Sequence, residues 1–140
     1  MNEVVFVDTN ILVYAHDRDA GERWSRASQV LTELWDSRGG RLSVQVLQEF
    51  YAVATGKLKS AVGAGAAREV ISTYAPWVSV ATDVSTVLRG AELAELAQLS
   101  FWDGMIVAAA EQCGATTLYT EDLNEGQVIA GVRIVNPLTK

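Results

Sequence analysis

Val4-Val5-Phe6-Val7-Asp8-Thr9-Asn10 decides how the rest of the chain is read. Four apolar residues, three of them β-branched valines, run into an acid, a hydroxyl and an amide. An uninterrupted apolar run of this kind reads as a strand buried on both faces, as in a parallel sheet. The stretch Ile11-Leu12-Val13-Tyr14-Ala15 follows at once and has the spacing of a short helix. Ligands of open α/β sheets gather beyond the carboxyl ends of the strands, so Asp8 is a candidate for chemistry. The competing reading is a helix cap, because aspartate, threonine and asparagine are all favoured there.

Outward from this stretch, short apolar runs alternate with helical patterns. A helix is expected over Glu22–Ser37, stopped by Gly39-Gly40, with Trp24, Ala27, Leu31 and Trp35 on one stripe widened by Val30 and Leu34. That stripe is wider than one core contact requires, so a partner covering part of it competes with a wholly internal role. Ser43 is placed to cap a helix that carries Glu49 and ends near Gly56. A further helix from about Ala61 to Tyr74 is closed by Pro76, and Trp77-Val78-Ser79-Val80 reads as a strand. Thr82 is expected to cap a helix from Asp83 to about Leu99, and the next helix opens near Asp103 and ends at Gly114. Thr116–Tyr119 and Val132–Val135 read as strands flanking the polar loop Thr120–Gly126. Strands alternating with helices imply an α/β fold with a parallel sheet. No repeat, linker or low-complexity tract divides residues 1–140, which suits one domain.

The scarce residues exclude several chemistries. One histidine, His16, and one cysteine, Cys113, cannot build a Cys/His zinc site, an imidazole pair or an internal disulfide. There is no glycine-rich phosphate loop and no apolar run near the ~20 residues of a membrane helix. The opening Met1-Asn2-Glu3 lacks the basic residues of a secretory signal, so a cytoplasmic location is expected. Any catalysis must rest on carboxylates and hydroxyls.

Four acids are candidates. Asp8 and Asp122 follow strands, and Asp103 heads the apolar helix Gly104–Ala110 on the face of Ile106, Val107 and Ala110. Glu49 lies at the shoulder of its helix stripe. A cap for Asp103, a turn for Asp122 and a solvated position for Glu49 are the alternatives at each site. Should the four converge, their mutual repulsion calls for a cation, and an all-oxygen set suits Mg2+ or Mn2+ rather than zinc. Such a centre permits phosphodiester hydrolysis. In that arrangement Asp8 and Asp103 are expected as the principal metal contacts, with Asp122 completing the shell directly or through water. Glu49, on its helix shoulder, is expected to hold or polarise the attacking water.

Val7-Asp8-Thr9-Asn10, Gln48-Glu49-Phe50, Trp102-Asp103 with Ile106–Ala110, and Tyr119-Thr120-Glu121-Asp122 resemble the PIN domain in order and spacing. The tail Gly126-Gln127, Gly131-Val132 and Val135-Asn136-Pro137 is similar to bacterial VapC toxins of toxin–antitoxin pairs. The resemblance covers essentially the whole chain. It implies a PIN-like three-layer sandwich with a mainly parallel central sheet, and a magnesium-dependent endoribonuclease acting on RNA. It also implies a cognate antitoxin and a homodimer, with Asp8, Glu49, Asp103 and Asp122 at the acidic positions. Thr9, Asn10 and Thr120 match the polar positions that orient carboxylates or water. Gly104 departs from the small side chain usual there and is expected to loosen the first turn of its helix. Glu121 is read as solvated.

Two other readings stay open: a catalytically silent PIN-like binding module, and a haloacid-dehalogenase-like phosphatase. The latter wants a second aspartate where this chain has Asn10. A formal net charge of −6 opposes RNA binding unless bound cations offset it, with Arg18, Arg23, Arg26, Lys57 and Lys59 as local basic groups.

Overall fold

The structure, a computed structural model, describes residues 3–139, so Met1 and Asn2 of the non-basic opening and the final Lys140 lie outside it. Strand β1 (Val5–Val7) is followed by helix α1 (Thr9–Tyr14), a 3-10 turn and α2 (Glu22–Ser37). Then come β2 (Gly40–Arg41), α3 (Val44–Gly56), α4 (Ala64–Tyr74), α5 (Val84–Ala97) and α6 (Phe101–Gln112). Strands β3 (Thr117–Tyr119), β4 (Val128–Ile129) and β5 (Val132–Val135) complete the chain. The sheet runs β2-β1-β3-β5-β4, and every pairing is parallel except β4 with β5. Helices flank this mainly parallel sheet in an α/β sandwich.

The opening run behaves as its composition demands. Val5, Phe6 and Val7 are all buried, the mark of a strand covered on both faces. Its register with β3 pairs Val7 with Tyr119, so the next residues along, Asp8 and Thr120, leave the sheet side by side. The Asp8 N–H donates to the Tyr119 carbonyl at 3.0 Å, and the Thr120 N–H to that of Val135 at 3.0 Å. Parallel pairing therefore gathers polar residues at one sheet edge.

Several boundaries differ from the sequence reading. Trp77–Val80 is not a strand: Ala75–Trp77 is a 3-10 turn, and Trp77 is buried. Its indole lies 4.8 Å from the Trp35 ring and 4.9 Å from that of Tyr74. Aromatic packing outweighs extension there; the Leu42 N–H donates to the Trp77 carbonyl at 3.2 Å, and the Val78 N–H turns back to the Ala75 carbonyl at 3.0 Å. Helix α5 is capped by Asp83 in a reciprocal box with Thr86, not by Thr82. Helix α6 is capped by Ser100, whose hydroxyl accepts from the Asp103 N–H at 3.1 Å, so Asp103 is not the cap. Strand β4, only two residues long, carries too little pattern to be read in advance.

Gly104 also corrects its expectation. A Cβ at that position would press into the Gly90 carbonyl oxygen and sit 3.0 Å from the Ala94 Cβ. The glycine does not loosen α6; it lets α5 approach closely, and Gly90 makes the reciprocal allowance against Met105. On α2 the stripe divides: Ala27, Leu31 and Leu34 are buried, whereas Trp24 and Trp35 are 36% and 38% exposed. His16 is structural, with its Nδ1 2.9 Å from the Leu12 carbonyl and its ring edge-on to Phe50.

Candidate active site

The carboxyl edge of β1 and β3 brings Asp8, Thr120 and Asp122 together with α1 and α3. Asp8 is 5% exposed, and each of its oxygens has a donor. Oδ1 accepts from the Thr9 N–H at 2.7 Å and Oδ2 from the Thr120 hydroxyl at 2.8 Å. The first of these bonds caps α1, so the capping alternative holds as well as the buried placement. Burial raises the Asp8 carboxyl to about 7, and the charges of Asp122 and Glu49 add to it; the Thr120 and Thr9 bonds only partly oppose the rise.

Glu49 projects from α3 toward the same edge. Its Oε1 accepts from the Thr9 hydroxyl at 2.6 Å and its Oε2 from the Gln45 amide at 3.4 Å. The expected solvated shoulder is thus a half-buried carboxylate held at both oxygens. Asp122 is exposed, and its Oδ2 accepts from the Asn10 side-chain amide at 3.0 Å. Asn10 also donates to the Thr120 hydroxyl at 3.3 Å and accepts from the Glu121 N–H at 3.3 Å. Asp103 is half-buried in the first turn of α6; burial raises its carboxyl, and Asp122 and Glu49 add to this, against a bond from Ser100. Asp8 and Asp103 each feel Asp122 and Glu49, so the four share one electrostatic neighbourhood.

Four further residues join this site. Gln45, buried on α3, is one turn before Glu49 and also donates to the Trp102 carbonyl at 3.3 Å, linking α3 to the start of α6. Its i, i+4 spacing to Glu49 was the available signal. Glu121 is not simply solvated: it accepts from the Tyr14 hydroxyl at 2.6 Å and from Arg23 Nε at 2.8 Å. Burial alone would raise the Glu121 carboxyl, but those two bonds outweigh it and hold it below the ordinary value. No local pattern marks a contact between residues 14, 23 and 121. Of the basic groups, Arg23 is therefore taken up by Glu121, Arg26 pairs with Glu22 at 3.6 Å, and Arg18 lies over the Trp24 ring.

None of the four acids has an ion pair to a basic side chain among the described residues. Nor, among those residues, do three carboxylate, imidazole or thiolate groups stand close enough together to ligate one ion directly. A dry, closed zinc-type cage is therefore the wrong chemistry for this donor set. Uncompensated carboxylates, spaced apart and all oxygen, fit a hydrated divalent ion that takes one or two of them directly and the rest through water. Between α1 and α3 a cleft of about 560 Å³ opens from Glu49 and Asp122.

A mainly parallel sandwich with acids collected at one sheet edge defines the class. The chain matches the family model of the PIN domain over residues 5–127 and belongs to that family. Its fold is similar to a chain in the crystal structure of VapBC2 from Rickettsia felis bound to a DNA fragment from their promoter. The TM-score is 0.58, with 18% identity over 94% of this chain and 96% of that one, a likeness of fold. The chain has no significant match among curated protein sequences.

Proposed function

We propose that this chain is a divalent-metal-dependent endoribonuclease, acting as the toxin of a toxin–antitoxin pair. The observation that carries the reading is Asp8: a buried carboxylate at a strand end, without an ion pair to a basic side chain among the described residues, facing the charges of Asp122 and Glu49. Such a group is costly to leave uncompensated, and a cation relieves the cost. Membership of the PIN family and the fold shared with a VapBC2 chain support the toxin reading.

In this reading Asp8 and Asp103 hold Mg2+ or Mn2+, with Asp122 completing the shell directly or through water. Such an ion would supply charge neutralisation at the scissile phosphate and activation of a water for attack. Glu49 receives the water's proton, its carboxylate oriented by Thr9 and Gln45. Thr120 and the Thr9 N–H keep Asp8 fixed and favour its charged form. Asn10 positions Asp122. The partners that follow are single-stranded RNA, a cognate antitoxin and a second copy of the chain. A cytoplasmic setting belongs to the same proposal; among the described residues no helix is long and apolar enough to cross a membrane.

The wide spacing of the acids favours one other reading, a silent PIN-like module that acts by binding alone. RNA cleavage in Mg2+ or Mn2+, with a chelator control, separates the two. Growth arrest on expression, relieved by co-expression of the neighbouring small open reading frame, tests the toxin assignment. Cleavage that persists in chelator contradicts the metal mechanism.

A further inference from the structure

The cleft between α1 and α3 has a composition that the acid site does not require. Its walls are Val13, Tyr14, Ala52, Val53 and Leu58, with Lys57 beside them, while Glu49 and Asp122 belong to the acid cluster. At about 560 Å³ it lies within the range of small-ligand pockets, and its lining is mostly apolar with a few polar groups. Tyr14 is fixed in place: its hydroxyl is bonded to Glu121, and the Arg23 guanidinium lies over its ring, 5.7 Å from the centroid. Lys57 follows the last turn of α3, is exposed, and forms no ion pair among the described residues. Asp17 also lines the cleft, but its Oδ1 is engaged by the Asp19 N–H at 3.1 Å.

We infer that this cleft takes one nucleotide of a single-stranded chain, adjacent to the scissile phosphate, and that Lys57 contacts the next phosphate. The inference rests on the nuclease reading above. Charge complementarity supports it: the Lys57 ammonium, without an ion pair among the described residues, and a fixed aromatic wall lie beside acids that accept a phosphate only with a cation. A base seated between Tyr14 and the aliphatic wall is removed from water and from its neighbours, which a paired strand resists. An unpaired strand, the substrate of the nuclease reading, can therefore seat a base in this cleft, which the same sequence held in a duplex cannot.

Two variants test this without touching the acids. Lys57→Ala removes the phosphate contact, and Ala52→Trp, at an exposed position of α3, fills the cleft from its rim. Each is assayed for steady-state cleavage of one single-stranded oligoribonucleotide, for Mn2+ affinity and for its thermal melt. Lys57→Ala is expected to raise KM several-fold, lower the salt dependence of binding by about one counterion, and leave kcat and Mn2+ affinity unchanged. Ala52→Trp is expected to raise KM about 10-fold or more, in line with the value of one stacked base. A wild-type protein that cleaves single-stranded RNA while both variants keep its KM overturns the inference and leaves the nuclease reading standing. The same holds if duplex RNA is cut equally well, or if Ala52→Trp loses only the binding of a protein partner. A wild-type protein that binds Mn2+ but cuts no RNA overturns the nuclease reading instead, and the inference with it.

Discussion

The Thr120 hydroxyl donates to Oδ2 of Asp8 at 2.8 Å, joining the residues that follow two paired strands. The same oxygen of Thr120 accepts from the Asp122 N–H at 3.1 Å, so one hydroxyl serves both strand-end acids. Thr120 is completely buried.

Thr120→Val keeps the shape of this residue and removes its hydrogen bonds. The lost bond favoured the charged form of Asp8, so the Asp8 carboxyl moves further up. A hydrogen bond to a charged group contributes about 1.5–3 kcal/mol, which corresponds to a shift on the order of 1–2 pH units. The alkaline displacement should appear in the pH profile of Mg2+-dependent cleavage, with activity regained as the pH is raised. An unshifted profile with uniformly reduced activity would mean that Thr120 only supports the fold.

The raised Asp8 carboxyl also sets how the ion-free protein responds to pH. With an ordinary value of 3.8 when unfolded and about 7 when folded, Asp8 retains a proton only in the native state between those limits. The native state then binds more protons than the unfolded one, so stability falls as pH rises from about 4 to about 7. Asp103, raised for the same reason, adds to the slope with the same sign. In chelator, the Tm should decline across this window, and Asp8→Asn should flatten the decline. Added Mg2+ should restore the wild-type Tm at pH 8 and do little for the variant.

At the α5–α6 contact, Gly104→Ala forces a methyl group against the Gly90 carbonyl oxygen. Overpacking of this kind costs about 1–3 kcal/mol, a Tm lower by roughly 3–10 °C in a chain of this size. Asp103 precedes Gly104, so displacement of the first turn should also weaken Mn2+ binding. A variant as stable as the wild type would show that the helices can separate freely.

What could be read from the sequence follows from how local the signals are. Val5-Phe6-Val7 declares a doubly covered strand, and a carboxylate at its end is legible without any partner. Ser43 and the spacing of Val46, Leu47, Phe50 and Ala54 place Glu49 on a helix. The errors arose where a distant contact decided the outcome. Trp77 sits in an aromatic cluster with Trp35, some forty residues earlier, and Glu121 is held by residues 14 and 23. Gly104 reads locally as a loosening residue because the reason for it lies on α5. Cap identity is ambiguous because Thr82 adjoins Asp83 and Ser100 stands three residues before Asp103, and all these residue types are favoured at a cap.

The most direct measurement is single-stranded RNA cleavage by Asp8→Asn in Mg2+, beside its thermal melt. Asparagine caps a helix about as well as aspartate, so α1 should keep its N-terminus and the protein its fold. The charge is gone, and with it a principal hold on the ion. Cleavage should fall by more than about 100-fold, beyond the loss that an outer-shell change causes, while the melt stays cooperative. Undiminished cleavage by the folded variant would contradict the account, leaving Asp8 as the cap of a helix.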